Sequence, residues 1–94
     1  MTWSLTAPAK DDLDDIWWYI AQDDVKAADR MISRLVARFD MLARQPQIGE
    51  ACPELAANLR NFPVRPYVIY YAAEDGEVAI IRVLHGARES GRLF

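Results

Sequence analysis

Three consecutive stretches decide the fold: Tyr67-Val68-Ile69-Tyr70-Tyr71-Ala72, then Glu74-Asp75-Gly76-Glu77, then Val78-Ala79-Ile80-Ile81-Arg82-Val83-Leu84. The outer two are rich in β-branched and aromatic side chains, which suit the pleated surface of a sheet. Between them, Asp75-Gly76 is a strong hairpin signal, because both residue types tolerate the positive φ of a tight reversal. The run Val78 to Leu84 is apolar on both faces apart from Arg82, the pattern of a central strand. A lone arginine in such a strand calls for a carboxylate or a ligand, since an unpaired buried charge is costly.

Working back toward the N-terminus, Leu59 to Val64 reads as a further strand, with Pro63 confining it to an edge or a bulge. Pro46 to Asn58, punctuated by Pro46, Gly49 and Pro53, reads as a loop with a short helical turn at Glu54–Ala57. Before the loop the period changes. Ala28, Met31, Ile32, Leu35, Phe39, Leu42 and Ala43 form one helical stripe that ends near Gln45-Pro46, and Asp23 or Asp24 supplies its N-cap. Ala9, Leu13, Ile16, Trp17 and Ile20 form a second stripe, on a helix that carries Pro8 in its first turn and runs to about Ala21. The aspartates near its start suit the positive end of the helix dipole. Trp3-Ser4-Leu5-Thr6 alternates like a half-buried strand. The expected architecture is α+β: an N-terminal strand, then an antiparallel helical hairpin packed on one face of a small antiparallel sheet. Leu13, Ile16, Trp17, Ile20, Ile32, Leu35, Phe39, Ile69 and Ile81 should be largely buried.

With 94 residues, 52% hydrophobic and 27% charged, the chain is expected to form one domain over residues 1–94. No apolar run approaches the ~20 residues of a membrane span. Lys10 followed by Asp11, Asp12, Asp14 and Asp15 lacks the layout of a secretion signal, so a cytoplasmic protein is expected. Cys52, the single cysteine, has no partner for an internal disulfide. No Cys/His cluster, glycine-rich phosphate loop or nucleophile elbow is present, so neither a metal nor a cofactor is expected. The net charge of −3 argues against a general nucleic-acid binder. Acid is concentrated early: residues 1–58 hold 6 basic and 10 acidic residues, and residues 59–94 hold 5 and 4. Any anion-binding surface would be local to the second part.

Three features resemble the RelE/ParE toxin superfamily, and its ParE-like branch in particular. They are Asp12-Leu13-Asp14-Asp15-Ile16-Trp17-Trp18-Tyr19-Ile20-Ala21, the junction Leu42-Ala43-Arg44-Gln45-Pro46-Gln47-Ile48-Gly49 with Pro53-Glu54-Leu55, and the closing Ile81-Arg82-Val83-Leu84-His85-Gly86-Ala87-Arg88-Glu89. The resemblance spans nearly the whole chain in order and spacing. It implies the toxin of a type II toxin–antitoxin pair, neutralised by a cognate antitoxin whose tail wraps the toxin in a hetero-oligomer. RelE-type members cut messenger RNA on the ribosome, whereas ParE-type members poison DNA gyrase by binding. In a nuclease, His85 and Arg88 would be the acid and the cation of 2′-hydroxyl attack. Nuclease relatives commonly place an arginine where this chain has Tyr67, and often continue into a catalytic tail beyond the point where this chain stops at Phe94. These departures favour gyrase binding, with no catalytic residue, over ribosomal RNA cleavage.

Target contact is therefore expected from Arg60, Arg65, Arg82 and Arg88, and antitoxin contact from Trp18, Tyr19 and Tyr67. Each has a plainer alternative. Arg82 has structural ion pairing, Arg60 and Arg65 a solvated sheet edge, and Trp18 and Tyr19 packing at the core's rim. His85, the sole histidine, fits a strand-end structural role, and strand parity places it with Ile81 and Val83 opposite Arg82. Lys26, Arg30, Arg34 and Arg38 recur every four residues as a basic ridge, read as a solvated face paired with Asp23, Asp29 or Asp40. A toxin-fold protein that merely binds a partner also fits the sequence.

Overall fold

A computed structural model describes residues 2–86. The chain runs β1 (Thr2–Leu5), α1 (Ala7–Ala21), α2 (Val25–Arg44), β2 (Glu50–Ala51), β3 (Leu59–Val64), β4 (Tyr67–Glu74) and β5 (Glu77–His85). Helix α1 starts where Thr6 Oγ1 accepts the Ala9 amide at 3.1 Å, with Pro8 in the first turn where its missing N–H costs nothing. Asp24 Oδ1 caps α2 in the same way, accepting from the Ala27 amide at 3.1 Å. The short Gln22–Asp24 link makes the two helices antiparallel neighbours.

The strands form one sheet in the order β1-β5-β4-β3-β2. From β2 to β5 every pairing is antiparallel, as expected, and the β4–β5 turn places Asp75 and Gly76 at φ of 50° and 80°. β1 differs, pairing parallel with β5 from Thr2↔Glu77 to Leu5↔Ile80. No tight turn links these two strands, so the hairpin and three strands between them serve as the long connection that a parallel pair needs. β5 is thus central, between β1 and β4. The Pro46–Asn58 segment, read as loop, contains the two-residue strand β2 against Arg60 and Asn61.

Both helices lie on one face of the sheet. Ile16, Leu35, Phe39 and Leu42 meet Val64, Tyr67, Ile69, Tyr71, Val78, Ile80 and Val83 in the main core. Leu13, Ile20 and Ile32 pack at its rim and stay half-buried, and Trp17 is half-buried as well. Ile81 departs from the expectation. Tyr70 pairs with Arg82 but Tyr71 pairs with Ile80, so Ile81 is the extra residue of a β-bulge. It packs on the opposite face with Cys52, Leu59, Tyr70 and Leu84. Past the bulge the parity reverses, which returns Val83 to the helical face without Ile81.

Candidate functional site

The parallel ladder stops at Leu5↔Ile80, leaving the rest of the outer edge of β5 without a strand. Side chains take over. The Thr6 amide donates to Ile80 O at 3.1 Å and Thr6 Oγ1 donates to Ile81 O at 2.8 Å. Asp12 then accepts the Val83 amide on Oδ2 at 2.9 Å, Arg82 Nε on the same oxygen at 2.7 Å, and Arg82 Nη2 on Oδ1 at 2.9 Å. One buried carboxylate therefore completes the backbone of a central strand and neutralises its arginine through a two-pronged ion pair. Sequence reasoning assigned the early aspartates to the helix dipole and missed this role. The signal was present, because Asp12 falls three after Ala9 and four before Ile16, the two other buried residues of α1. Of the two readings of Arg82, the structure supplies the ion pair.

Asp12, Asp15, Ile16, Tyr19, Tyr67, Val83 and His85 line a cleft of ≈ 230 Å³ beside this pair. His85 stands edge-on to Tyr67, with ring centroids 5.7 Å apart at 84°, and its Nδ1 is buried without a hydrogen-bond partner among the described residues. The bulge explains why His85 shares this cleft with Val83 but not with Ile81. Tyr67, a candidate antitoxin contact, is only 5% exposed and part of the main core. Its parity with Ile69 and Tyr71 turns it under the helices, which a half-apolar strand does not announce. Trp18 and Tyr19 are 67% and 59% exposed, as a contact surface requires, and the Trp18 ring stands edge-on to Trp17 at 5.3 Å.

The other end of the sheet is closed differently. Tyr71 donates its hydroxyl to Pro46 O at 2.7 Å and accepts the Gly49 amide at 2.9 Å. Burial pushes the Tyr71 phenol above its ordinary value of 10.0, against the lowering effects of the Gly49 hydrogen bond and the Arg60 charge. Arg60 Nη1 donates to Gly49 O at 2.8 Å, so this candidate target-binding residue also anchors the loop. Beside it an open groove of ≈ 910 Å³ runs past Pro46, Ile48, Pro53, Leu59 and Ala73. Arg65 is exposed at the β3–β4 turn and lines neither the cleft nor the groove. Arg88 lies outside the described residues. Cys52 is buried, its thiol donating to Leu59 O at 3.5 Å. Lys26, Arg30, Arg34 and Arg38 are all exposed, as the basic ridge requires. Among the described residues no group of three or more His, Cys, Asp or Glu side chains is arranged to hold a metal ion. No described helix is long and apolar enough to cross a membrane.

The sequence profile of the family described as the ParE toxin of the type II toxin–antitoxin system parDE matches residues 4–90. This chain belongs to the ParE toxin family. Among its relatives, Toxin RelE2 of Caulobacter vibrioides is 42% identical over 89 residues, covering 94% of this chain and 96% of the relative. Toxin ParE1 of the same organism is 38% identical over 82 residues, covering 86% and 84%. A solved structure titled as the chromosomal ParDE system of P. aeruginosa superposes with a TM-score of 0.75. It covers 90% of this chain and 95% of that one at 22% identity, a likeness of fold. The ParE identity accords with the helical hairpin on the sheet and with the closing Ile81–Glu89 motif, part of which forms the clamped end of β5.

Proposed function

We propose that this ParE-family toxin arrests growth by binding DNA gyrase, without nucleolytic chemistry, and that a cognate antitoxin neutralises it in the cytoplasm. The carrying observation is the state of the sheet at Tyr67, where nuclease relatives commonly place an arginine, and at the sheet's own arginine. Tyr67 is buried in the core, and the Arg82 guanidinium is paired with Asp12. A cation locked to a carboxylate offers little net field to a phosphorane. Of the candidate target contacts, Arg65 is free of the core, Arg60 is half-buried at the loop, and Arg88 follows the end of β5 in sequence. The exposed Trp18 and Tyr19 provide the aromatic area that a partner helix or strand of the antitoxin would cover. Expression of the chain alone in bacteria separates the targets: gyrase poisoning induces a DNA-damage response, whereas messenger cleavage stops translation first. Arg88→Glu should weaken the arrest, with a urea midpoint unchanged from the parent's showing that the loss is one of contact and not of folding.

A second reading, RelE-type cleavage of ribosome-bound messenger RNA, is favoured by two observations. One relative carries the name Toxin RelE2 at 42% identity, and His85 presents an unpartnered ring nitrogen beside the Asp15–Tyr19 cleft. In that reading His85 and Arg88 act as acid and cation.

A further inference from the structure

Helix α2 carries Lys26, Arg30, Arg34 and Arg38 at four-residue intervals, and all are exposed. On a regular helix this spacing sets neighbouring cations about 6 Å apart along a ridge of about 18 Å. Like charges at this spacing oppose each other, by about 0.2–0.5 kcal/mol per neighbouring pair in isolated helices. The expected relief is absent where it was sought. Asp29 accepts the Trp17 indole N–H at 2.8 Å, and Asp40 accepts the Trp3 indole N–H at 2.7 Å. Among the described residues the ion pair formed is Arg82 with Asp12, and none of the four ridge cations has a hydrogen bond or charge partner. The two nearby carboxylates serve to staple tryptophans of α1 and β1 to α2.

We infer that this ridge is a docking surface for an acidic helix of a partner protein, one bearing carboxylates at every fourth position. Such a helix repeats its charges at the same interval of about 6 Å, so successive ion pairs fall in register. Three of the four cations are arginines, whose planar fork matches a carboxylate in two-pronged fashion. The exposed neighbours Ser33 and Ala37 are small and let a second helix approach closely. A short acidic helix meets only the ridge, whereas an extended polyanion would also run against the rest of a chain that carries −3, and the ridge contains no aromatic on which a base would stack. The assignment does not depend on whether gyrase or the ribosome is the toxin's target.

The test uses the full chain and a labelled, alanine-based helical peptide with four glutamates at four-residue spacing, read by fluorescence anisotropy. The control peptide carries glutamines at those positions. The glutamate peptide should bind roughly tenfold more tightly than the control, as four exposed ion pairs at a few tenths of a kcal/mol each would give. That advantage should shrink as salt is added. The combined variant Lys26→Gln, Arg30→Gln, Arg34→Gln and Arg38→Gln should lose it with a urea midpoint no lower than the parent's. Reversing all four, Lys26→Glu, Arg30→Glu, Arg34→Glu and Arg38→Glu, should transfer preference to a lysine peptide, which a merely misfolded variant would not show. Equal binding of the two peptides, an advantage retained by the glutamine variant, or tighter binding of short duplex DNA than of the glutamate peptide would each overturn the assignment.

Discussion

The two ends of this sheet are closed by side chains from opposite parts of the chain, one by a buried ion pair and the other by a neutral hydroxyl with a cation on backbone carbonyls. At the outer edge of β5, Asp12 stands in for a missing strand and satisfies Val83 and Arg82 together. At the β2–β3 end, the neutral hydroxyl of Tyr71 bridges Pro46 and Gly49, with Arg60 reaching the same loop. The lesson is one of asymmetry. A charged closure costs far more when half of it is removed than a neutral one, because it leaves an ion and an amide stranded together.

Removing the carboxylate should therefore give the largest effect. Asp12→Ala is expected to destabilise the protein by about 3 kcal/mol in urea unfolding, tempered by the partial exposure of Arg82. Asp12→Asn, which keeps an acceptor for Val83 but loses the charge, should cost clearly less. Equal losses in the two variants would mean that the charge is immaterial, and the contrast between the two ends would collapse.

Next comes Gly49. A Cβ there would lie 2.7 Å from Asn61 O and press on the Tyr71 ring, so the loop must move. Gly49→Ala should cost about 2 kcal/mol, the usual scale for forcing atoms into a filled site. A variant as stable as the parent would show the loop to be adaptable, not locked.

Tyr71→Phe should cost about 1 kcal/mol by leaving Pro46 O and the Gly49 amide without their bridge. It also has a signature in pH. Burial raises the Tyr70 and Tyr71 phenols in the folded state above the ordinary 10.0. The folded chain then holds protons that the unfolded chain has released, so stability is fully present below pH 10 and falls as pH rises past it. Urea midpoints measured across that range should fall less steeply in Tyr71→Phe, which keeps only the share of Tyr70. An unchanged slope would remove Tyr71 from this account.

Trp18→Ala should have the smallest effect on stability, within about 0.5 kcal/mol, because the side chain is 67% exposed. It should nevertheless weaken binding of the product of the adjacent antitoxin reading frame in titration calorimetry. Unchanged heat and affinity would remove the α1 aromatics from the antitoxin surface.

Much of the fold was legible because local rules and tertiary structure agree. Both helical stripes, the cap at Asp24 and the Asp75-Gly76 turn follow from periodicity and turn chemistry, whereas Thr6, read as a strand residue, caps α1. What escaped depends on residues distant in sequence. The bulge at Ile81 is a register choice between β4 and β5, and it reversed the face on which Ile81 was expected. The parallel seat of β1 depends on where a long connection ends, which no local pattern encodes. At the site, Arg82's need for a carboxylate was legible but its identity was not, since Asp12 lies 70 residues away. The burial of Tyr67 was not legible, because an apolar strand does not reveal which of its faces the helices cover.

The central functional claim is action by binding, with the sheet's arginine locked and no nucleolytic step. The most direct measurement is supercoiling by purified gyrase in the presence of the purified chain, run beside a ribosome-bound messenger cleavage assay with the same preparation. The account predicts that supercoiling stops and the messenger stays intact. Specific messenger cleavage with gyrase untouched would contradict it and make His85 and Arg88 the residues of a catalytic site.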